Sequence, residues 1–265
     1  MEWKKVRNWL ILLLLAVDLF LAGNLALQVL QAQQTARQAA ADAVAVAQMR
    51  GVNVRLEDVL QMPLEMSRYQ AQRSDGMEQA AANVLLGGTT VQELPGGGVS
   101  IYRADEGEMS FRRGGALEMT GPWTGMNFDR KECALVLESA GFSMEDAVIS
   151  DQNGAVELMQ GYEKLPVFNC RVICLQQDGG LQVRGRWMLA SEPVSVVGGM
   201  SRAQMVLAMC DLMESRQVET LHSVQAGYYL QSEDAQSLTL EPVWSVETDQ
   251  GQLILSCVTG EQVNF

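Results

Sequence analysis

The sequence predicts an α+β protein: an N-terminal transmembrane helix followed by an ectodomain of repeated helix-plus-antiparallel-meander units. Three observations predict it. Residues Trp9 to Leu30 form one apolar run, WLILLLLAVDLFLAGNLALQVL. Beyond residue 76 one pattern recurs three times, a helical period followed by two to four short alternating stretches. Turn signals such as Pro95-Gly96-Gly97-Gly98 and Asp178-Gly179-Gly180 punctuate those stretches.

As a helix, the apolar run spans roughly 33 Å, enough to cross a hydrocarbon core. Lys4, Lys5 and Arg7 precede it, while the next twenty residues hold only Arg37 and Arg50 as cations. The positive-inside rule therefore places the N-terminus in the cytoplasm and the rest of the chain outside a cell membrane crossed once. A cleaved signal peptide has a shorter apolar region and a small-x-small cleavage site; here the run is longer and no convincing Ala-x-Ala follows. Asp18 lies near the middle of the run, where a carboxylate costs about 2.5–3.5 kcal/mol on insertion scales. Asp18, Ala22 and Ala26 recur at four-residue spacing and form one drifting stripe. Small residues at that spacing let a second helix approach closely, so these three are the candidate partner-helix interface. An unpaired Asp tolerated in a long span is the simpler alternative.

Residues 31–50 are rich in Ala and Gln and read as a helix leaving the membrane, ended by Gly51. A short turn of helix fits Leu56 to Leu64. In the first repeat, a helix over Gly76–Leu86 precedes strands near Thr89–Leu94, Val99–Arg103 and Met109–Arg113. In the second, Asp129 caps a helix through Ala140, followed by strands near Ala147–Ser150, Val156–Tyr162, Val167–Gln176 and Leu181–Leu189. Phe168, Cys170, Val172 and Cys174 alternate with Val167, Asn169, Arg171 and Ile173, so the first, uniformly apolar set should face the core. In the third, Ser201 caps a helix through Ser215 whose Met205, Met209, Leu212 and Met213 line one face, read as core. Strands near Val218–Leu230, Leu238–Glu247 and Gln252–Val258 complete the chain. Gly161-Tyr162 before Pro166-Val167-Phe168 echoes Gly227-Tyr228 before Pro242-Val243-Trp244, which leaves an internal duplication open. The resulting organisation is a cytoplasmic tail (1–8), transmembrane helix (9–30), helical stalk (31–75) and extracytoplasmic α+β domain (76–265), divisible into sub-units 76–128, 129–200 and 201–265.

Composition narrows function. The net charge is −13; residues 1–30 hold three cations against two anions, which leaves about −14 on the remainder. Such a domain repels nucleic-acid phosphates and anionic headgroups. One histidine, His222, and five irregularly spaced cysteines (Cys133, Cys170, Cys174, Cys210, Cys257) offer no recognisable metal-ligand spacing. The cysteines read mainly as buried apolar residues; a disulfide framework does not fit, although one pairing stays open. No GxSxG, Ser-x-x-Lys, GxGxxG or GxxxxGK[ST] occurs. Carboxylates such as Glu106, Glu145, Asp146 and Asp151 read as solvated turns, and Asp151-Gln152-Asn153-Gly154 lacks the EF-hand ligand ladder. The expectation is therefore a non-enzyme without cofactor, metal or catalytic residues. A tail of about eight residues is too short to fold, so any signal from outside passes through the helix or a partner.

The opening Met1-Glu2-Trp3-Lys4-Lys5, the leucine-rich span with Asp18-Leu19-Phe20-Leu21, Gln160-Gly161-Tyr162 with Leu165-Pro166-Val167-Phe168, Gly227-Tyr228-Tyr229, and Leu240-Glu241-Pro242-Val243-Trp244-Ser245-Val246 leading to Thr259-Gly260-Glu261 resemble the YycI proteins of Gram-positive Firmicutes. The resemblance implies a regulator of a two-component system controlling cell-wall metabolism, which associates with a sensor histidine kinase (WalK-like) and a YycH-like protein through transmembrane helices, with no catalytic residues. Two other expectations stand beside it: a tethered cell-envelope ligand-binding module without kinase contact, and a secreted hydrolase or peptidase inhibitor.

Overall fold

The structure, a computed structural model, describes residues 3–263 apart from Thr124, Met126, Asn153, Asp178, Glu219 and Glu233, and apart from the side chains of Lys4, Lys5 and Val6. It is a mixed α+β chain: one long N-terminal helix followed by a large, mainly antiparallel sheet. Helix α1 (Trp3–Met49) runs unbroken for 47 residues, about 70 Å at the helical rise. Neither Gly nor Pro interrupts its second half, and Gly51, in the left-handed region, ends it.

The sheet forms two lobes. The first contains β1 (Ser67–Gln72), β10 (Val194–Gly198), β11 (Leu221–Gln231), β12 (Ser237–Thr248) and β13 (Gly251–Ser256). Strand β12 is central: β11 pairs along one edge, and the other edge is shared by β1 and β13. The second lobe runs β6 (Val148–Gln152), β7 (Ala155–Tyr162), β8 (Leu165–Gln177), β9 (Gly180–Arg186), β5 (Ala116–Pro122), β4 (Gly107–Arg112), β3 (Val99–Ala104) and β2 (Val91–Gly96). A parallel contact, Tyr228 beside Val167, joins β11 to β8 and so joins the lobes.

Each lobe has its own helices and core. The end of α1, α2 (Leu56–Gln61) and α5 (Arg202–Arg216) enclose the first with Met205, Met209, Tyr228, Leu240 and Trp244. Helices α3 (Asp75–Leu85) and α4 (Arg130–Ser139) enclose the second with Tyr102, Phe111, Leu137, Leu158 and Trp187. Local chemistry fixes the helix starts. Ser74 accepts from the Met77 amide, Asp129 accepts from the Glu132 amide at 2.9 Å, and Ser201 and Gln204 close a full capping box. A buried ion pair ties the lobes' beginnings together: Arg73, just after β1, grips Glu78 of α3 with two nitrogens and also reaches the Gly98 carbonyl at 2.6 Å and the Ser100 hydroxyl at 3.1 Å.

Three differences from the sequence reading stand out. The segment 31–75, read as a helical stalk, contains β1, which pairs with both β10 and β12 and belongs to the sheet. Strands β5 and β10 were not anticipated: every residue of β10 is exposed, and β5 carries Pro122 and two polar outward positions. On β8, Cys170, Val172 and Cys174 are buried as their alternation requires, yet Val167, assigned to the outer face, is fully buried because the strand passes between lobes there. Asp178 and Asn153, placed in turns by the sequence, lie outside the described residues; the strands on either side close as tight hairpins, Gln177 opposite Gly180 and Gln152 opposite Ala155.

Candidate functional site

Among the described residues, nothing covers the partner-helix stripe. Asp18, Ala22 and Ala26 are all exposed, as are the leucines around them, and the most apolar stretch of α1 is entirely unburied among the described residues. The structure brings the three onto one side of α1, and among the described residues no other element reaches them. This helix is long and apolar enough to cross a membrane.

The same helix is fixed firmly at its other end. Ala40, Ala43, Val44 and Ala47 follow helical spacing and are buried in the first core. Their small side chains let α1 approach α5, whose Met205, Met209 and Met213 fill the space between helix and sheet. The Met face assigned to core is core; Leu212 is half-buried at its margin. Arg50, just past α1, bridges Asp211 of α5 at 2.6 Å, and Gln48 donates to the Val54 carbonyl at 3.1 Å. Carboxylate contact raises the Arg50 guanidinium above its ordinary value. The joint therefore couples the apolar rod to the third repeat without a flexible linker.

A second feature lies between the lobes. Tyr69 of β1, Tyr162 of β7 and Tyr228 of β11 meet edge to face, with ring centroids 5.1 to 6.0 Å apart. Tyr69 and Tyr228 donate to the two carboxylate oxygens of Glu163 at 2.7 and 3.0 Å. Burial, reinforced by that carboxylate, pushes Tyr69 up to about 12 and raises Tyr228 further. Glu163 and Lys164 both adopt positive φ in the two-residue β7–β8 turn, and Asp146 beside them also has positive φ and accepts from the Lys164 amide at 2.7 Å. A Cβ at Gly161 would lie 2.2 Å from the Asp146 carbonyl, so only glycine fits there. Asp146, Gly161, Tyr162, Glu163 and Lys164, with Glu145 and Glu192, line a cleft of about 590 Å³. Tyr162 and Tyr228, from the echoed Gly-Tyr pairs, are ring neighbours here, a proximity that the echo, read only as a sign of duplication, did not announce.

His222 is exposed on β11 and lines a smaller cleft with Arg55 and Asp58. Among the described residues no group of three or more His, Cys, Asp or Glu is placed to hold a metal ion.

Fold and helix together define an α+β domain carried on one N-terminal helix long enough to span a bilayer. Neither a family model nor a curated protein matches the chain. Two solved structures are similar in fold, both distantly. One is an uncharacterized protein from Eubacterium rectale, with TM-score 0.42 and 8% identity over 77% of this chain and 87% of that one. The other is the YpeB C-terminal domain from Bacillus megaterium, with TM-score 0.34 and 10% identity over 73% of this chain and 99% of that one.

Proposed function

We propose that the chain is a membrane-anchored extracytoplasmic regulator that associates with a sensor histidine kinase and modulates two-component signalling of cell-wall metabolism. One observation carries this reading: α1 passes unbroken from an uncovered apolar stretch into the core of the folded domain. A tether needs only attachment, whereas a helix that is both rod and core element turns any displacement of the domain into displacement of its membrane segment. Asp18, Ala22 and Ala26 then supply the polar and small contacts that a neighbouring transmembrane helix requires. The basic residues before the span favour a cytoplasmic N-terminus, and the resemblance to YycI proteins supplies the partner class, a WalK-like kinase with a YycH-like protein. The test is co-purification from membranes. The kinase should accompany the wild-type chain and be lost, or reduced several-fold, with Asp18→Leu; unchanged recovery contradicts the helix contact.

The acidic, strained cleft favours a second reading, a tethered module that binds a cationic envelope component. It requires the ectodomain alone to bind envelope fractions and an exchangeable anchor sequence.

A further inference from the structure

The cleft beside His222, of about 290 Å³, lies next to the joint where α1 enters the domain. Its floor belongs to the first core: Val59 of α2, Met62 just after it, Met209 of α5 and Trp244 of β12 are all buried. Its rim is polar and carries both signs of charge. Arg55 donates to the Asp58 carboxylate through Nε at 2.9 Å and Nη2 at 3.2 Å, with both side chains open to solvent. That side-on grip leaves the Nη1 hydrogens outside it, and each Asp58 oxygen keeps a lone pair beyond the one given to Arg55. Strand β11 supplies another part of the rim. Leu221 pairs with Thr248 and Ser223 with Glu247, so His222 is the extra residue of a bulge. In a regular strand His222 points away from its two neighbours; here all three line the cleft.

We propose that this cleft is a binding site for a free α-amino acid with an apolar side chain. Its room, roughly ten waters at about 30 Å³ each, suits one small molecule and not a peptide or a sugar chain. The floor takes the apolar body: two thioethers, an indole and a valine adapt to an aliphatic or aromatic group. The rim takes the zwitterion. Nη1 of Arg55 donates to the ligand carboxylate, the Asp58 carboxylate accepts from the ligand ammonium, and the His222 imidazole adds one more hydrogen-bonding group. A simple carboxylate leaves Asp58 facing a like charge, and a simple amine does the same to Arg55, so the two signs together select against both. The wider cleft between the lobes lacks this balance, since Glu145, Asp146, Glu163 and Glu192 share it with the single cation Lys164. Residues Asn53 to Met62 follow α1 directly, and Met209 belongs to the helix that α1 packs against, so the ligand bridges the parts that hold the rod. Binding needs no partner for α1.

The experiment titrates the full chain in detergent with L-phenylalanine, hydrocinnamate and phenethylamine, following isotope-labelled methionine methyl groups by NMR. The expected result is a saturable displacement of the Met62 and Met209 resonances by L-phenylalanine at about millimolar concentration, with Met109 and Met119 of the second core unmoved. Hydrocinnamate lacks the ammonium and phenethylamine lacks the carboxylate, and each should bind about tenfold more weakly. Asp58→Asn should erase the preference for the amino acid over hydrocinnamate, and Arg55→Gln the preference over phenethylamine. The comparison of the three compounds on the wild-type chain stands whether or not either variant folds. Absence of a saturable shift, equal binding of all three compounds, or shifts spread evenly over the methionines of both cores would overturn the assignment. None of these outcomes depends on recovery of a kinase, so the site and the helix contact are judged separately.

Discussion

Between Trp9 and Leu30 α1 is apolar on almost every side and buried on none, whereas between Ala40 and Ala47 it is mostly alanine and sinks one stripe into a protein core. One unbroken helix thus has two environments, and apolarity alone does not say which part the fold covers. Each large apolar side chain left in water forgoes roughly 1.5–3 kcal/mol of burial, so the leucine-rich part is stable only in lipid or against another helix. The alanine-rich part contributes little area by itself. Its value is geometric, since small residues bring α5 and its methionines close.

The contrast breaks most severely at Ala47, which is fully buried. Ala47→Asp places an unpaired carboxylate in the first core and should cost the ectodomain about 3 kcal/mol or more, measured as a fall in the urea midpoint of the detergent-solubilised chain. Alkaline titration acts on the folded domain and not on the span. Tyr69 titrates near 12 when folded and near its ordinary 10 when unfolded. Its stabilising share is therefore complete below pH 10 and is lost as pH rises toward 12. Thermal unfolding across that window should show the loss, and Tyr69→Phe should make it shallower. Arg50 and Asp211 form an exposed, solvent-screened bridge at the joint, so Arg50→Ala should shift the urea midpoint only slightly. The smallest effect belongs to the membrane stripe: Ala26→Leu should leave ectodomain stability within about 0.5 kcal/mol, while reducing kinase recovery.

These expectations also separate what the residues announced from what they concealed. Helices α4 and α5 were legible because Asp129 and Ser201 can cap, and α3 because glycines follow its helical stretch, whereas its Ser74 cap emerges only in the fold. Hairpins with Gly at the turn were legible for the same local reason. Strand β1 was not, because it owes its place to partners more than 120 residues away, β10 and β12. The three stripe residues could be placed on one helix face from spacing alone. The tyrosine cluster could not, since its rings come from β1, β7 and β11 and meet only when the lobes join.

Photo-crosslinking along α1 in membranes containing the kinase tests the central claim most directly. A benzophenone side chain at position 18, 22 or 26 should capture a kinase transmembrane helix. The same group at Phe20 or Leu27, on the far side by the helical period, should capture lipid. Equal capture from both sides, or none from the Asp18 side, would contradict the account.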